Sequence, residues 1–246
     1  MIWGYDLQIF AEYGLENPVE IPIESHCHAL ITGASGSGKS KTLSTLLGSA
    51  LKSDPKIELT FCDFKNSDDF RYLRNFKQFY AGENCYTGVS EFYNKFCTIR
   101  ESGQPERRRL LIIDEYPAFI SFLQTRDKSN KTKEANDILS IVSEILMLGR
   151  GLNIGIWIVT QRADSSWFQS GSRDNFMICC ALGNISKEQR TMLFAGEELP
   201  ERIYKAGEGI LHADGKELME VKFPKIIDTD DWKKHILEIL CPDDEA

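Results

Sequence analysis

The segment GASGSGKS, residues 33–40, decides the fold of this chain. It matches the pattern G-x-x-x-x-G-K-[ST] at every fixed position, and a short apolar run, HALIT (28–32), precedes it. Glycines at 33, 36 and 38 allow positive φ angles that turn main-chain N–H groups inward onto phosphate oxygens. A Leu-rich helix predicted at 39–53 adds the positive end of its dipole. The segment therefore predicts a loop that cradles the phosphates of a nucleotide.

The predicted nucleotide-binding set is continuous in sequence. Lys39 reaches the β- and γ-phosphates, and the hydroxyl of Ser40 joins the shell of a Mg²⁺ ion. The cofactors predicted from this loop are therefore ATP and Mg²⁺. The complete set is Gly33, Ala34, Ser35, Gly36, Ser37, Gly38, Lys39, Ser40, Lys41 and Thr42.

Apolar runs alternate with helical patterns through most of the chain, which predicts an α/β fold with a mostly parallel sheet and helices on both faces. Near the end, Asp214-Gly215 separates two strand-like pieces and predicts a β-hairpin. The organisation predicted is a lead-in strand segment at 1–25, one ATPase domain at 26–225, and a C-terminal helix and acidic tail at 226–246. The predicted strands are 57–62, 110–113, 154–160 and 176–182, and the predicted later helices are 134–148 and 228–240.

The composition is that of a globular protein that does not span a membrane. Hydrophobic residues make up 42% of the 246 residues and charged residues 27%, and no apolar run reaches the ~18 residues that a spanning helix needs. We therefore expect a cytoplasmic protein, which partners could still recruit to a membrane. The net charge of −8 argues against broad coating of nucleic acid, but it leaves a local basic loop or pore open.

Two acidic residues end the predicted strand in RRRLLIIDEY (107–116). The apolar residues 110–113 carry Asp114 to the carboxyl end of the strand, where open α/β sheets bind their ligands. We predict that Asp114 holds the Mg²⁺ ion. The neighbouring Glu115 is predicted to orient, or take a proton from, the water that attacks the γ-phosphorus.

The stretch LGRGLNIGIWIVTQR (148–162) delivers a glutamine at the end of another apolar strand. If this strand lies beside the Asp114 strand, Gln161 lies near the γ-phosphate. Its amide both donates and accepts hydrogen bonds, so it can register whether that phosphate is present.

Together these motifs resemble the FtsK/SpoIIIE branch of the FtsK–HerA ATPases, over roughly residues 20–225. The sequence departs from the family's common Asp-Pro-Lys at Asp63-Phe64-Lys65, where the second residue differs. The matching stretches are HALITGASGSGKSKT (28–42), CDFK (62–65), LLIIDEY (110–116), LGRGLNIGIWIVTQR (148–162), ICCALGNISKEQRTMLFAG (178–196) and YKAGEGILHADG (204–215).

The resemblance implies a RecA-like P-loop NTPase that acts as a homo-oligomeric ring, usually a hexamer, and translocates double-stranded DNA. It maps Asp114 and Glu115 to the Mg²⁺-binding and water-activating acids and Gln161 to a sensor glutamine. An arginine finger from a neighbouring subunit is also implied, and such a group raises the rate by ~10³–10⁵. Arg150 and Arg190 are both candidates for it.

Two polar stretches are candidates for loops that face DNA in the pore of such a ring. The first, QTRDKSNKTK (124–133), is predicted to be a loop; the second, RADSSWFQSGSRDN (162–175), is a loop in which Trp167 and Phe168 are expected to be exposed. The candidate phosphate contacts are Arg126, Lys128, Lys131 and Lys133 in the first stretch, and Arg162 and Arg173 in the second.

The sequence shows neither a membrane-spanning N-terminus nor a C-terminal winged-helix segment, so we expect a motor that serves plasmid or mobile-element transfer or replication. Type VII secretion ATPases carry domains of the same kind, which keeps protein secretion, with a membrane-associated partner, open as an alternative. A third alternative is an ATP-dependent assembly module. The presence of Lys39, Ser40, Asp114 and Glu115 argues against a module that lacks catalysis.

Overall fold

The apolar runs of the sequence form one ten-stranded sheet in a computed structural model, which describes residues 1–104, 107–169 and 171–242. The order across the sheet is β2-β1-β10-β9-β8-β3-β7-β6-β4-β5. The strands are β1 (Ile2–Asp6), β2 (Pro18–Glu20), β3 (His28–Gly33), β4 (Glu58–Asp63), β5 (Phe79–Ala81), β6 (Arg109–Asp114), β7 (Ile154–Thr160), β8 (Ile178–Leu182), β9 (Glu208–Ala213) and β10 (Met219–Lys222).

Seven α-helices lie among these strands, and they cover both faces of the sheet. On one face α2 and α7 pack over side chains that include Ile31 and Trp157. On the other face α3, α4 and α5 pack over Leu30 and Ile158. The helices are α1 (Leu7–Tyr13), α2 (Lys39–Ser53), α3 (Cys85–Ser102), α4 (Tyr116–Asn130), α5 (Glu134–Leu148), α6 (Lys187–Leu193) and α7 (Thr229–Leu240).

The sheet has a parallel half and an antiparallel half. The six strands from β8 to β5 pair in parallel, as the continuous apolar runs predicted. The remaining strands pair antiparallel, and the predicted hairpin of β9 and β10 is confirmed. Strand β1 pairs with β10, so the two ends of the chain contribute to the same sheet. The domain boundaries at 25 and 225 stay a prediction, and the acidic residues 243–245 lie outside the described residues.

Two local predictions were wrong. Residues 124–130 are not a loop, because they form the last turns of α4, and only 131–133 connect that helix to α5. The polar pattern there is the exposed end of a helix whose buried side, Phe119 and Leu123, lies earlier in the sequence. Phe168 is buried rather than exposed, because it packs between the rings of Tyr116 and Phe176. The adjacent Trp167 is half-buried.

Candidate active site

The phosphate-loop segment links the end of β3 to the start of α2, as predicted. Gly36 and Gly38 have φ angles of 82° and 93°, and residues that carry a Cβ atom rarely adopt such angles. Gly38 is also the N-cap of α2 and has no side chain that could cap it. The first N–H groups of this 15-residue helix therefore point into the loop, where they form a site for an anion.

Gly33 has a different reason from the one that the sequence suggested. Its φ angle is not positive, so conformational freedom does not explain it. A Cβ atom at this position would lie 2.5 Å from Ser37 Oγ and 2.8 Å from the carbonyl oxygen of Leu182. Gly33 is therefore needed because the loop packs closely against itself and against β8.

Lys39 folds back over the loop. Its Nζ donates to the carbonyl oxygens of Gly33 at 2.6 Å and Ala34 at 3.3 Å. Burial lowers the pKa of the ammonium group, while Glu115 and Asp114 act in the opposite direction. The ammonium group is thus a partly desolvated cation that donates to neutral carbonyl oxygens. A charged acceptor such as phosphate would form stronger hydrogen bonds with it and so compete for its N–H groups.

The two acids lie at the carboxyl end of β6, as predicted. Asp114 is the last residue of the strand and is only 6% exposed. Burial, followed by the negative charges of Glu115 and Asp63, raises its pKa to about 7. Glu115 has a φ of 55°, a left-handed conformation that is uncommon for a residue with a side chain. This turn separates β6 from α4, and the carboxylates of the adjacent residues Asp114 and Glu115 both line the same cleft.

Gln161 lies where the sequence placed it. Strand β7 pairs with β3 on one side and with β6 on the other, so the residue after Thr160 emerges between the loop and the acids. The Gln161 Nε2 donates to Glu115 Oε1 at 3.0 Å and to Oε2 at 3.2 Å. The hydroxyl of Thr160 bonds the main chain of Arg162 and shapes this turn.

These groups line one cleft of about 350 Å³ at the carboxyl ends of the strands. The structure therefore brings together the phosphate loop, both acids and Gln161. Of the predicted set, the cleft is lined by Ser35, Gly36, Gly38, Lys39, Ser40, Lys41, Asp114, Glu115 and Gln161.

Four further residues of the cleft were missed by the sequence reasoning. Lys65 and Ser67 follow β4, and Asp69 is the second residue of the next helical turn, Asp68–Leu73. Ala206 comes from the segment before β9, where Gly207 N donates to the Ser37 carbonyl oxygen at 2.9 Å. Two signals could have found them, since Lys65 belongs to the CDFK stretch and Ala206 to the YKAGEGILHADG stretch.

The two candidate arginine fingers lie near opposite ends of the central parallel strands. Arg150 belongs to a short helical turn before β7, at the amino ends of the strands. It contributes, after burial, to lowering the pKa of His28 to about 4. Arg190 lies on α6, which follows the carboxyl end of β8. Neither lines the cleft of its own chain, and the action of either on a neighbouring subunit stays a prediction.

Arg126 is engaged in contacts within the protein. Its guanidinium lies 2.5 Å from Glu134 and 3.3 Å from Glu83, and it also stacks near the rings of Tyr86 and Phe122. These contacts tie the end of α4 to α5 and to the segment after β5. The guanidinium charge is therefore largely used within the fold.

The other basic candidates are distributed over two places. Lys128, Lys131 and Lys133 are exposed around the connection between α4 and α5. Arg162 lines a neighbouring cavity of about 370 Å³ that shares Glu115 and Gln161 with the cleft. Arg173 lies 3.8 Å from Asp174.

Sequence comparisons match part of this chain. A model of the FtsK/SpoIIIE family matches residues 6–80. The Ftsk domain-containing protein YdcQ of Bacillus subtilis (strain 168) is 27% identical over 132 residues, which are 53% of this chain and 22% of that protein. The chain thus spans about a fifth of the curated relative that it matches.

Solved structures show the same fold at low sequence identity. The conjugation coupling protein TcpA of pCW3, in a monomer form with ATPγS, has a TM-score of 0.71 at 18% identity, over 97% of this chain and 74% of that one. EssC (ATPases 2 and 3) of Geobacillus thermodenitrificans has a TM-score of 0.72 at 13% identity, over 98% and 47%. The fold is therefore that of RecA-like P-loop ATPase domains. Among the described residues, no helix has the length and apolar character to cross a bilayer.

Proposed function

Because the chain carries an FtsK/SpoIIIE-type domain with the fold of a P-loop ATPase, we propose that it hydrolyses ATP with Mg²⁺ and moves double-stranded DNA through an oligomeric ring. The observation that carries the proposal is the hydrogen bond from Gln161 to Glu115, in the same cleft as Lys39. A loop that only binds nucleotide needs neither a positioned acid nor an amide that holds it.

Ser40 and Asp114 would hold the Mg²⁺ ion, because hydroxyl and carboxylate oxygens are the ligands that this cation prefers. Burial of Asp114 disfavours its charged form, and a cation beside it would stabilise the carboxylate. When bound, Mg²⁺ neutralises charge that develops on the β- and γ-phosphate oxygens.

The remaining groups have separate roles in hydrolysis. Lys39 exchanges its carbonyl acceptors for phosphate oxygens and stabilises their charge. Glu115 orients the attacking water and accepts its proton. Gln161 holds the Glu115 carboxylate through its N–H₂ group. If a γ-phosphate competes for that donor, Glu115 is released toward the water, so the same amide links phosphate binding to catalysis.

The nucleoside occupies a second cleft, of about 290 Å³, that shares Ser40 and Lys41 with the first. Its lining does not include Glu115 and Gln161, which line the first cleft at the proposed γ-phosphate end. Its walls include Tyr72 and Trp232, whose rings lie 6.5 Å apart and offer flat apolar surfaces for a base. Substituting Trp232 by Ala should weaken the binding of ATP and leave the binding of tripolyphosphate unchanged.

DNA would be held by exposed cations at the connection of α4 and α5, Lys128, Lys131 and Lys133. Arg126 supports this segment through Glu83 and Glu134 rather than by contacting phosphate. Support for a role in DNA transfer comes from the likeness to a conjugation coupling protein. In the ring, Arg150 or Arg190 would complete the neighbouring site, and a membrane-associated transfer partner would recruit the ring from the cytoplasm.

The proposal is tested by ATPase activity with and without duplex DNA at low salt, with sedimentation recorded on the same samples. We expect duplex DNA to stimulate an assembled oligomer, and Lys39→Ala to lack activity in both conditions. An assembled ATPase that ignores duplex DNA would contradict translocation and leave the ATPase assignment standing. An assembled protein without ATPase activity would contradict both.

Protein secretion is the second candidate, and the likeness to the Type VII secretion ATPase EccC of Thermomonospora curvata favours it. The net charge of −8 and the internal use of Arg126 also suit a protein cargo better than a DNA cargo. Stimulation of ATPase activity by the tail of a secreted substrate, with no response to DNA, would decide for it. An assembly module without turnover would bind ATP and assemble while hydrolysing none.

A further inference from the structure

The edge of the sheet beside β4 is only half covered. Strand β5 pairs with Phe61–Asp63 and stops there, whereas β6 pairs with β4 from Glu58 onward. The amino half of β4 therefore has one neighbour in the part of the chain that the structure describes. Edges of this kind offer main-chain groups to a further strand.

The hydrogen bonds on either side show which residue faces the open edge. Glu58 N donates to Arg108 O on the β6 side, at 2.9 Å. Phe61 N donates to Gln78 O on the β5 side, also at 2.9 Å. In a strand with parallel neighbours successive residues point their N–H and C=O groups to alternate sides. Leu59 therefore directs both groups toward the edge that β5 does not reach.

A slot of about 670 Å³ lies at this edge, and its lining includes Glu58, Leu59 and Thr60 of β4. Phe92 of α3 lines it on one face, while Phe76 and Leu240 line it from the other. An added strand would thus place alternate side chains against two apolar walls.

The slot is positively charged in a chain whose net charge is −8. Its lining holds four cations and one carboxylate, a net charge of +3. Arg109 pairs with that carboxylate, Glu58, at 2.8 Å, while Lys56, Lys95 and Arg107 are exposed. The charge therefore favours an acidic ligand.

We propose that this slot binds an acidic, extended peptide segment of a partner protein, which adds a strand to the open edge of β4. The peptide pairs its main chain with the N–H and C=O groups of Leu59, and its carboxylates face Lys56 and Lys95. DNA fits less well, because its sugar-phosphate backbone carries no hydrogen-bond donor for the Leu59 carbonyl oxygen. The slot lies at the amino half of β4, whereas the nucleotide cleft lies beyond its carboxyl end. The inference therefore does not depend on ATP hydrolysis.

The test begins with a display library of random peptides of about twelve residues, long enough to exceed the edge at ~3.3 Å per residue. The library is selected on the full chain, and two enriched peptides are labelled for fluorescence anisotropy. Binding is compared for the parent, for Lys56→Glu/Lys95→Glu, and for the control Lys187→Glu/Lys216→Glu, which reverses two exposed lysines elsewhere. Circular dichroism and thermal unfolding of all three proteins report that they are folded.

We expect acidic peptides to be enriched, and the slot variant to weaken their binding by roughly tenfold or more while the control does not. Peptides N-methylated at alternate residues test strand pairing, since one of the two alternating sets should abolish binding and the other should preserve it. The proposal is overturned if no acidic peptide is enriched or if the slot variant binds normally. It is also overturned if both N-methylated sets bind as tightly as the unmethylated peptide. The same holds if Lys56 and Lys95 are needed for the binding of labelled single-stranded DNA and not for the binding of the peptides. A change in sedimentation of the slot variant without any selected peptide would assign the slot to a second copy instead.

Discussion

The two ends of the same central strands use charge in opposite ways. At the carboxyl ends of β3 and β6, Lys39, Asp114 and Glu115 share one cleft, and Lys39 is held only by main-chain carbonyls. At the amino ends, Arg108 donates to Ile23 O at 3.0 Å and lies 3.5 Å from Asp54.

The difference separates charge that awaits a ligand from charge that is consumed by the fold. Burying desolvated groups without fixed partners costs free energy unless a ligand binds them, and at the carboxyl ends the proposed ligand is the nucleotide. Paired groups at the amino ends stabilise the domain and are not available for chemistry. Substitutions at the two ends should therefore fail in different measurements.

The largest effect is expected for Lys39→Ala. It removes the cation proposed to bind the β- and γ-phosphates, so kcat/KM for ATP should fall by ~10³ or more, with little change in the free energy of unfolding. Steady-state kinetics and denaturant unfolding measure the two. Lys52→Ala, an exposed lysine near the other end of α2, is the matched control. Loss of stability equal to the loss of activity would contradict the contrast.

Arg108→Ala should give the converse result. It leaves Asp54 without its buried partner and removes the bond to Ile23 O, so the free energy of unfolding should fall by about 3 kcal/mol. Below the unfolding transition, kcat should stay close to that of the parent. The exposed neighbour Arg107 provides a control substitution to Ala. An Arg108→Ala protein of normal stability would show that the pairing at this end contributes nothing.

Gln161→Ala tests the amide that holds the Glu115 carboxylate. Without the hydrogen bond to Glu115, kcat should fall by roughly 30–100-fold while the Kd for ATP changes little. Single-turnover kinetics and nucleotide titration separate the two. Gln124→Ala, at an exposed position on α4, should behave like the parent. A Gln161 variant that loses ATP binding instead would give this amide a purely binding role.

The smallest effect is a pH dependence from His28 at the amino end of β3. Burial first, and Arg150 second, lower its pKa from 6.5 to about 4. The unfolded chain therefore binds a proton between these values that the folded chain does not. Stability present above pH ~6.5 is lost as the pH falls toward 4, and the loss at pH 5 is about 2 kcal/mol. His28→Asn should flatten this part of the unfolding curve, while the control His235→Asn should not. An unchanged slope in His28→Asn would refute the assignment.

Much of the parallel half of the fold was predictable, because its elements are marked by their own residues. Helix α2 follows the phosphate loop, and helix α5 and strand β7 have the predicted bounds. The end of α4 was not predictable, because its polar turns bury no apolar stripe of their own. The joining of β1 to β10 was equally hidden, since it pairs residues from opposite ends of the chain.

The site divides in the same way. Lys39, Asp114, Glu115 and Gln161 were predictable because loop and strand ends place them in any sheet of this order. Ser67 and Asp69 were not, because they reach the cleft from a segment after β4 whose packing the sequence does not display.

The most direct measurement of the central claim is ATP turnover and ATP binding by Glu115→Gln. Glutamine keeps the size of the side chain but cannot accept the proton of the attacking water. We predict that kcat falls by ~10² or more while ATP still binds with the affinity of the parent, and that the exposed control Glu217→Gln is unaffected. A Glu115→Gln protein that hydrolyses ATP as fast as the parent would contradict the assignment of Glu115 and the mechanism built on it.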